Sequence, residues 1–411
     1  MKKIVILGAG TAGTTMLNKL YNKLHESCQF TIIDKSDVHY YQPGFLFVPF
    51  GIYKPEEVVK PKKNFIPNDA EFVIGEVEKV LQDKQEVVLF DGKNIPYDIL
   101  IVATGTDIAP EETPGLKDKL WQKDIFDFYT YEGAVALADK LKSWQGGKLV
   151  INLAESIIKC PVAPLEFSFL ADSFFKEKGI RDKVEISYVT PLPGAFTKPK
   201  ATAMLGKIMD RKDISVIPDF YLEQVNNETK ELVSYDGKTV PFDLLVSIPV
   251  NMGSKWVEES NMGDTDDLNY IPTNKNTLQS NQYDNIFVIG DATNLPTSKA
   301  GAVAHFEAEI LEQNILSYLK GEALDASFDG HANCFIETGN GKAALIDFNY
   351  KTEPLPGSFP IPGVGPFKLL KETRINHYGK LMFKWAYWHK IITGKYLPVS
   401  AHMSMAGKIE N

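Results

Sequence analysis

Lys3-Ile4-Val5-Ile6-Leu7-Gly8-Ala9-Gly10-Thr11-Ala12-Gly13 carries the reading of the fold. Lys3 to Leu7 is a short apolar run of strand type, and a helical pattern continues through Met16, Leu17 and Leu20. A second strand, Phe30 to Ile33, ends on Asp34. Strand, glycine turn, helix, strand and acid, in that order, are the parts of a dinucleotide site. Gly8 permits the tight turn, Gly10 lets the backbone approach a pyrophosphate, and Gly13 lets the helix pack on the sheet. Thr11 and Ala12 open the helix, whose free N–H groups favour phosphate. Asp34 is placed to accept hydrogen bonds from a ribose hydroxyl.

Outward from this unit the chain repeats itself. Asp91-Gly92-Lys93-Asn94-Ile95-Pro96-Tyr97-Asp98-Ile99-Leu100-Ile101 returns as Asp236-Gly237-Lys238-Thr239-Val240-Pro241-Phe242-Asp243-Leu244-Leu245-Val246, an offset of 145 residues. The same offset carries the first strand onto Lys148-Leu149-Val150-Ile151. It also carries Gly8, Gly10 and Gly13 onto Leu153, Glu155 and Ile158. A second dinucleotide-type unit is therefore predicted whose phosphate loop is lost, with a carboxylate where an anion would sit. No NAD(P) is expected there. The chain then returns to the first unit. Asn285 to Ile289 is a strand ending in Gly290-Asp291, with a helix through Ala302, Ala304, Phe306 and Leu311, and the earlier strand Asp98 to Val102 ends in Ala103-Thr104-Gly105.

With the glycine turn, these two strand ends resemble the motif set of FAD-binding oxidoreductases with two dinucleotide domains. The resemblance covers nearly the whole chain. It implies an α/β fold of two Rossmann-like units: an FAD domain over 1–112 and 275–325, and a degenerate second domain over 113–274. A hairpin and amphipathic C-terminal region over 326–411 completes the chain. It further implies FAD contacts from Lys35, Gln42, Val77, Thr104, Gly105, Gly290, Asp291, Lys299 and Ala302 beside those of the glycine turn and Asp34.

Composition fits such a chain: 411 residues, 44% hydrophobic and 24% charged. That excludes a mainly disordered, collagen-like or coiled-coil protein. No run reaches the ~18 apolar residues of a spanning helix. The N-terminus lacks the pattern of a cleavable signal peptide. A net charge of −9 argues against a nucleic-acid partner. Six histidines (His25, His39, His331, His377, His389, His402) show no paired ligand spacing, so no metal is expected.

Three cysteines exclude a disulfide scaffold. Cys28 reads as a small core residue. Cys160 maps onto Thr15 by the repeat, which places it in the first turns of a helix. There the helix dipole and Lys159 are expected to lower its thiol pKa. Cys334 lies on a strand leading into Thr338-Gly339-Asn340-Gly341-Lys342, a hairpin signal. These two segments, with Pro296-Thr297-Ser298-Lys299-Ala300-Gly301-x-x-Ala304-His305-Phe306, resemble the sulfide:quinone oxidoreductases. They also resemble the flavoprotein subunit of flavocytochrome c sulfide dehydrogenases. The resemblance implies that Cys160 and Cys334 flank the flavin and relay sulfur. Glu166 then stands as candidate acid/base, against the alternative of a solvated helix carboxylate. The stretch Phe126-Asp127-Phe128-Tyr129-Thr130-Tyr131, where many members carry a third cysteine, has none. A two-cysteine subtype with non-covalent FAD is expected.

From Lys368 onward eight basic residues face two acids, a tail of +6 on a body of −15. Read as a helix from about Tyr378 to Ile392, Leu381, Trp385, Trp388 and Ile392 form one apolar stripe flanked by lysines. That is the pattern of a segment lying in a membrane interface, and it suggests a peripheral, monotopic protein with a lipid-soluble quinone as acceptor; the membrane face and any homo-oligomer stay open. The Lys380-x-x-Phe383 spacing resembles the family's quinone pocket. A cytochrome-coupled sulfide dehydrogenase, a type II NADH dehydrogenase and a non-enzymatic redox sensor remain alternative readings.

Overall fold

The computed structural model describes residues 1–265 and 267–410. The first apolar run forms the strand Lys2–Leu7 at the centre of a five-stranded parallel sheet. Cys28–Asp34 and Ile99–Val102 pair with it, and Glu71–Ile74 and Ile286–Val288 form the edges. The central strands are covered on both faces, which is why they read as unbroken apolar runs. A second parallel sheet has the matching order Ile125–Phe126, Leu244–Ile248, Gly147–Leu153, Val184–Val189, Ile214–Ile217. The crossing segments between the two units pair as Asp107–Ala109 with Val250–Met252.

The 145-residue repeat holds residue for residue in the first strand and in the strand that pairs with it on one side. Ile4 is in register with Ile99, and Leu149 with Leu244. Asp98 accepts the Lys3 N–H at 2.7 Å, and Asp243 accepts the Lys148 N–H at 2.7 Å. Past the strand the repeat fails. The first helix begins at Thr11 and spans Thr11–Leu24, reached through Gly8 at φ +92°. A Cβ on Gly13 would stand 1.8 Å from the Gly8 carbonyl oxygen, so this turn closes only with glycine. The second unit has no such glycines, and its helix, Ala163–Glu177, starts seven residues later than the offset predicts. The added loop contains Cys160. The cysteine therefore precedes the helix, three residues before its start, rather than lying in its first turns.

Ala332–Gly339 and Lys342–Phe348 form the expected hairpin, turning through Asn340 and Gly341 at φ +54° and +64°. Gly357–Ile361 and Gly365–Leu369 extend it to four strands. The C-terminal helix, Arg374–Ala386, crosses this sheet, and Gly379 makes the approach possible: a Cβ there would meet the Phe367 ring at 2.6 Å.

The amphipathic reading of this helix is corrected. At Tyr387 the α-helix gives way to a π-helical turn, Tyr387–Ile391, which rotates the following side chains inward. Trp388 and Ile392, expected on an outer stripe, lie in the core, with Trp388 stacked on Phe65 at 5.4 Å. Tyr387 is fully buried, and its hydroxyl meets Thr11 and His39, each at 2.8 Å. The C-terminal segment is thus anchored on the glycine-turn unit. The stripe left outside is Ile375, Tyr378, Met382 and Trp385. Among the described residues no helix is long and apolar enough to cross a membrane. This geometry separates two neighbouring tryptophans. Trp388→Ala is expected to cost about 3–5 kcal/mol through an unfilled core volume. Trp385→Ala should stay within about 0.5 kcal/mol, as at an ordinary surface position. Urea denaturation of the two variants checks the difference.

Candidate active site

The glycine turn, the strand ends at Asp34, Ala103 and Ile289, and the Cys334 hairpin line one large cavity of about 490 Å³. Gly8, Gly10, Thr11 and Ala12 line one end with Asp34, Lys35 and Gln42. Thr104, Gly105, Gly290, Asp291, Lys299 and Ala302 line its middle, and Cys160, Glu166, Cys334, Lys380 and Phe383 the other end. Two expected cofactor residues lie off the cavity wall. Gly13 packs beneath Gly8, and Val77 packs in a separate apolar cluster behind the sheet. Cys28 is buried in the core away from the cavity.

The dinucleotide end fits an FAD. Nothing stands within 4 Å of the position a Cβ on Gly10 would take, which leaves the backbone open to a phosphate. The Thr104 hydroxyl is buried without a partner, as a group awaiting a ligand would be. Asp34 accepts the Ala9 N–H at 2.7 Å and pairs with Lys62 at 2.6 Å. Lys62, distant in sequence, carries no local signal that would have revealed it. Glu307 is a second residue the sequence did not point to. It accepts the Gly290 N–H at 2.7 Å and fixes the turn at φ +74°. Burial pushes its carboxyl up to about 8, against the Gly290 N–H and the Lys299 charge. Lys299 crosses the cavity wall to donate to the Asp291 and Thr293 carbonyls at 2.9 and 2.6 Å.

At the other end Cys160 is held in the left-handed region, φ +49°, unusual for a residue with a Cβ. Three backbone ties keep it there. Its N–H donates to the Lys299 carbonyl at 2.6 Å, and its carbonyl accepts the Ala163 N–H at 2.9 Å and the Tyr129 hydroxyl at 3.1 Å. The expected acidic thiol is overturned. Burial, and then the Glu166 carboxylate, push the Cys160 thiol up to about 12, with Lys380 opposing. Lys159 gives no help because its amine turns away to the Thr106 carbonyl at 3.1 Å. Burial and the neighbouring Cys160 likewise push Cys334 up to about 12.

Glu166 is not a solvated carboxylate; its side chain has no exposed surface. It meets the Lys380 amine at 2.8 and 3.2 Å and accepts the Glu337 N–H at 2.6 Å. Lys380 also donates to the Phe335 carbonyl at 2.9 Å, next to Cys334. Burial works against the Lys380 charge, but Glu166 and Cys160 outweigh it and hold the amine above its usual range. Glu337 and His377, 2.8 Å apart, adjoin this pair. In sequence His377 shows no more paired ligand spacing than the other histidines. The i, i+3 spacing of His377 and Lys380 on one helix was the available signal. Among the described residues no cluster of three or more metal-ligating side chains forms.

The profile described as pyridine nucleotide-disulphide oxidoreductase matches residues 2–306, and the chain belongs to that family. The mitochondrial sulfide:quinone oxidoreductase of Dictyostelium discoideum is 30% identical over 399 residues, covering 96% of this chain and 86% of the relative. The mouse protein of the same name is 26% identical over 399 residues, covering 95% of this chain and 86% of that one. Within the larger family the chain is one of the sulfide:quinone oxidoreductases. The crystal structure of the Aquifex aeolicus sulfide:quinone oxidoreductase shares the fold with a TM-score of 0.79 at 20% identity, over 96% of this chain and 92% of that one. A type II NADH:quinone oxidoreductase of Staphylococcus aureus is 26% identical over 402 residues, covering 89% of this chain and 97% of that one.

The buried ion pair sets a test of the site's construction. Lys380→Met leaves Glu166 as an uncompensated buried charge and should cost about 3–5 kcal/mol. Adding Glu166→Gln to that variant should recover most of the loss, and a double-mutant cycle on urea midpoints measures it.

Proposed function

We propose that this protein oxidises sulfide through Cys160 and Cys334 and passes the electrons to a membrane quinone, with FAD bound non-covalently between them. The observation that carries the reading is the shared cavity: both thiols open onto the space that the glycine turn and Gly290-Asp291 also line. FAD supplies the two-electron step between the sulfur donor and the quinone, as the cofactor rather than the protein carries that chemistry.

The residues divide the remaining work. Both thiols are held neutral, so the attacking nucleophile is the substrate, HS⁻, acting on a disulfide or polysulfide that bridges Cys160 and Cys334. A sulfur–sulfur bond forms to the incoming sulfur, one bridge bond breaks, and one cysteine leaves as a thiolate. A thiol with a high pKa is a poor leaving group. The Lys380 charge, which already acts on both cysteines, stabilises that thiolate. Glu166 holds Lys380 in place and serves as a proton carrier close enough to both cysteines for its charge to act on them. Phe383, on the same wall as Lys380, offers its ring to a quinone.

The second unit supports electron exit to quinone rather than entry from NADH. Where a pyrophosphate would sit, the Glu155 carboxylate accepts its own loop's Ser156 N–H at 2.6 Å. The membrane contact is reassigned to Ile375, Tyr378, Met382 and Trp385, with Ile361 and Val364 at the adjacent hairpin tip. Arg374 and Lys371 flank that stripe and suit anionic headgroups.

Anaerobic spectroscopy tests this reading. Sulfide should bleach the flavin band, a soluble quinone should restore it, and NADH should leave it unchanged. Cys160→Ala and Cys334→Ala should each cut sulfide-dependent bleaching by about 10²-fold or more, as loss of a covalent nucleophilic partner does. Bleaching by NADH alone would favour the NADH dehydrogenase reading. For the membrane contact, the pair Met382→Ser and Trp385→Ser should weaken co-sedimentation with anionic vesicles, while Trp388→Phe should not.

A further inference from the structure

The reaction proposed above is short of one proton. HS⁻ + Q + H⁺ gives one sulfur atom at the oxidation level of the element, added to the growing chain, and QH₂. Sulfur loses two electrons and the quinone gains two. Hydrosulfide supplies one quinol proton, and the other has to enter from solvent. The Glu166–Lys380 pair has little contact with solvent of its own: the Glu166 side chain is 0% and the Lys380 side chain 14% exposed.

We infer that Glu337 and His377 form the proton inlet to this site, with His377 the group that exchanges with solvent. The inference rests on the sulfide:quinone reading and adds two positioning residues to it. His377 sits one helical turn before Lys380 on the same helix, and its side chain is 21% exposed. Its Nδ1 lies 2.8 Å from the Glu337 carboxyl, whose side chain is 1% exposed. Glu337 is on the cysteine strand, three residues past Cys334, and its own N–H donates to Glu166. The hydrogen-bonded path thus runs from the surface through His377 to the buried Glu337 carboxyl, which lies close enough to the Glu166–Lys380 pair for each charge to act on it.

Groups on every neighbouring element act on Glu337. Glu166 faces it from the Ala163–Glu177 helix, and Lys380 and His377 face it from the C-terminal helix. Tyr53 faces it from the loop beyond the glycine-turn unit, with the Glu57–Lys384 ion pair behind that ring. On the returning hairpin strand its partner is Ala343, which does not titrate. Burial, and then Glu166, push the Glu337 carboxyl up to about 8, against the pull of Lys380. Burial lowers His377 from its ordinary value. Both shifts favour the arrangement in which the Glu337 carboxyl keeps the shared proton and donates it to His377 Nδ1. A carboxyl that titrates near the working pH is suited to pass a proton in either direction. His377 adjoins Tyr378 of the exposed apolar stripe, so the inlet opens beside the face assigned to the membrane.

The experiment uses FAD-loaded full-length enzyme and reads two half-reactions separately. Sulfide-dependent flavin bleaching needs no imported proton, whereas quinone-dependent turnover does. His377→Ala should lower turnover with quinone about tenfold or more, leave the quinone KM and the bleaching step within about twofold, and regain turnover on addition of imidazole. Glu337→Gln keeps a donor to His377 Nδ1 and should fold normally. Because an amide cannot pass a proton, it should slow turnover with quinone about tenfold or more and remove the limb of the turnover–pH profile that falls near pH 8 in the wild type. If the wild type turns over and both variants keep its rate and pH profile, the inlet is wrong. If His377→Ala is slowed and imidazole does not restore it, the inlet is also wrong, because a packing defect explains the loss. If sulfide fails to bleach the wild-type flavin at all, the sulfide reading itself falls, and the variants are not needed to show it.

Discussion

A carboxylate with no exposed surface has to be compensated where it stands, and Glu166 is compensated from two other elements at once. Lys380 comes from the C-terminal helix and the Glu337 N–H from the cysteine hairpin. This single charge pair ties the second unit's helix, the hairpin and the tail into one wall. The pair is costly to desolvate, so it is poorly explained by stability alone. Its position beside two thiols that burial keeps neutral gives it chemistry to do.

The second dinucleotide unit shows how a lost motif becomes a site. Its strands retain the first unit's register and its aspartate-to-backbone hydrogen bonds. Gly8 and Gly13 allow a turn so tight that a single Cβ would collide with backbone. With Leu153, Glu155 and Ile158 in their place, the chain takes a longer path to its helix. Cys160 stands on that longer path in a left-handed conformation, held by Lys299, Ala163 and Tyr129. The segment that would hold a pyrophosphate in an NAD-binding unit instead presents a thiol to the flavin side.

What was legible in the sequence was what depends on neighbours along the chain. The glycine turn, the repeat and the Asn340-Gly341 hairpin were all readable because sterics set them locally. The thiol pair came from resemblance, not from spacing, and its acidity was misjudged because burial is a tertiary property. The apolar stripe failed for a related reason. A uniform helical period was assumed to Ile392, but the π-helical turn at Tyr387 breaks it, and the glycine-turn unit takes Trp388 and Ile392 into its core. The charge of the basic tail is likewise partly neutralised by tertiary contacts. Lys380, Lys384 and Lys408 are spent in ion pairs with Glu166, Glu57 and Asp347, leaving fewer free charges than the +6 of the sequence. Lys62 on Asp34 and Glu337 on His377 had no trace in local pattern, since each pair joins distant elements.

The central claim is that Cys160 and Cys334 carry the substrate's sulfur between them. Peptide mass mapping under non-reducing conditions, after the enzyme has turned over sulfide with a soluble quinone, tests it most directly. The account predicts peptides containing Cys160 and Cys334 that are heavier by whole sulfur atoms or cross-linked through them, with the Cys28 peptide unchanged. Unmodified Cys160 and Cys334 peptides during active turnover, or sulfur gained at Cys28 alone, would contradict it.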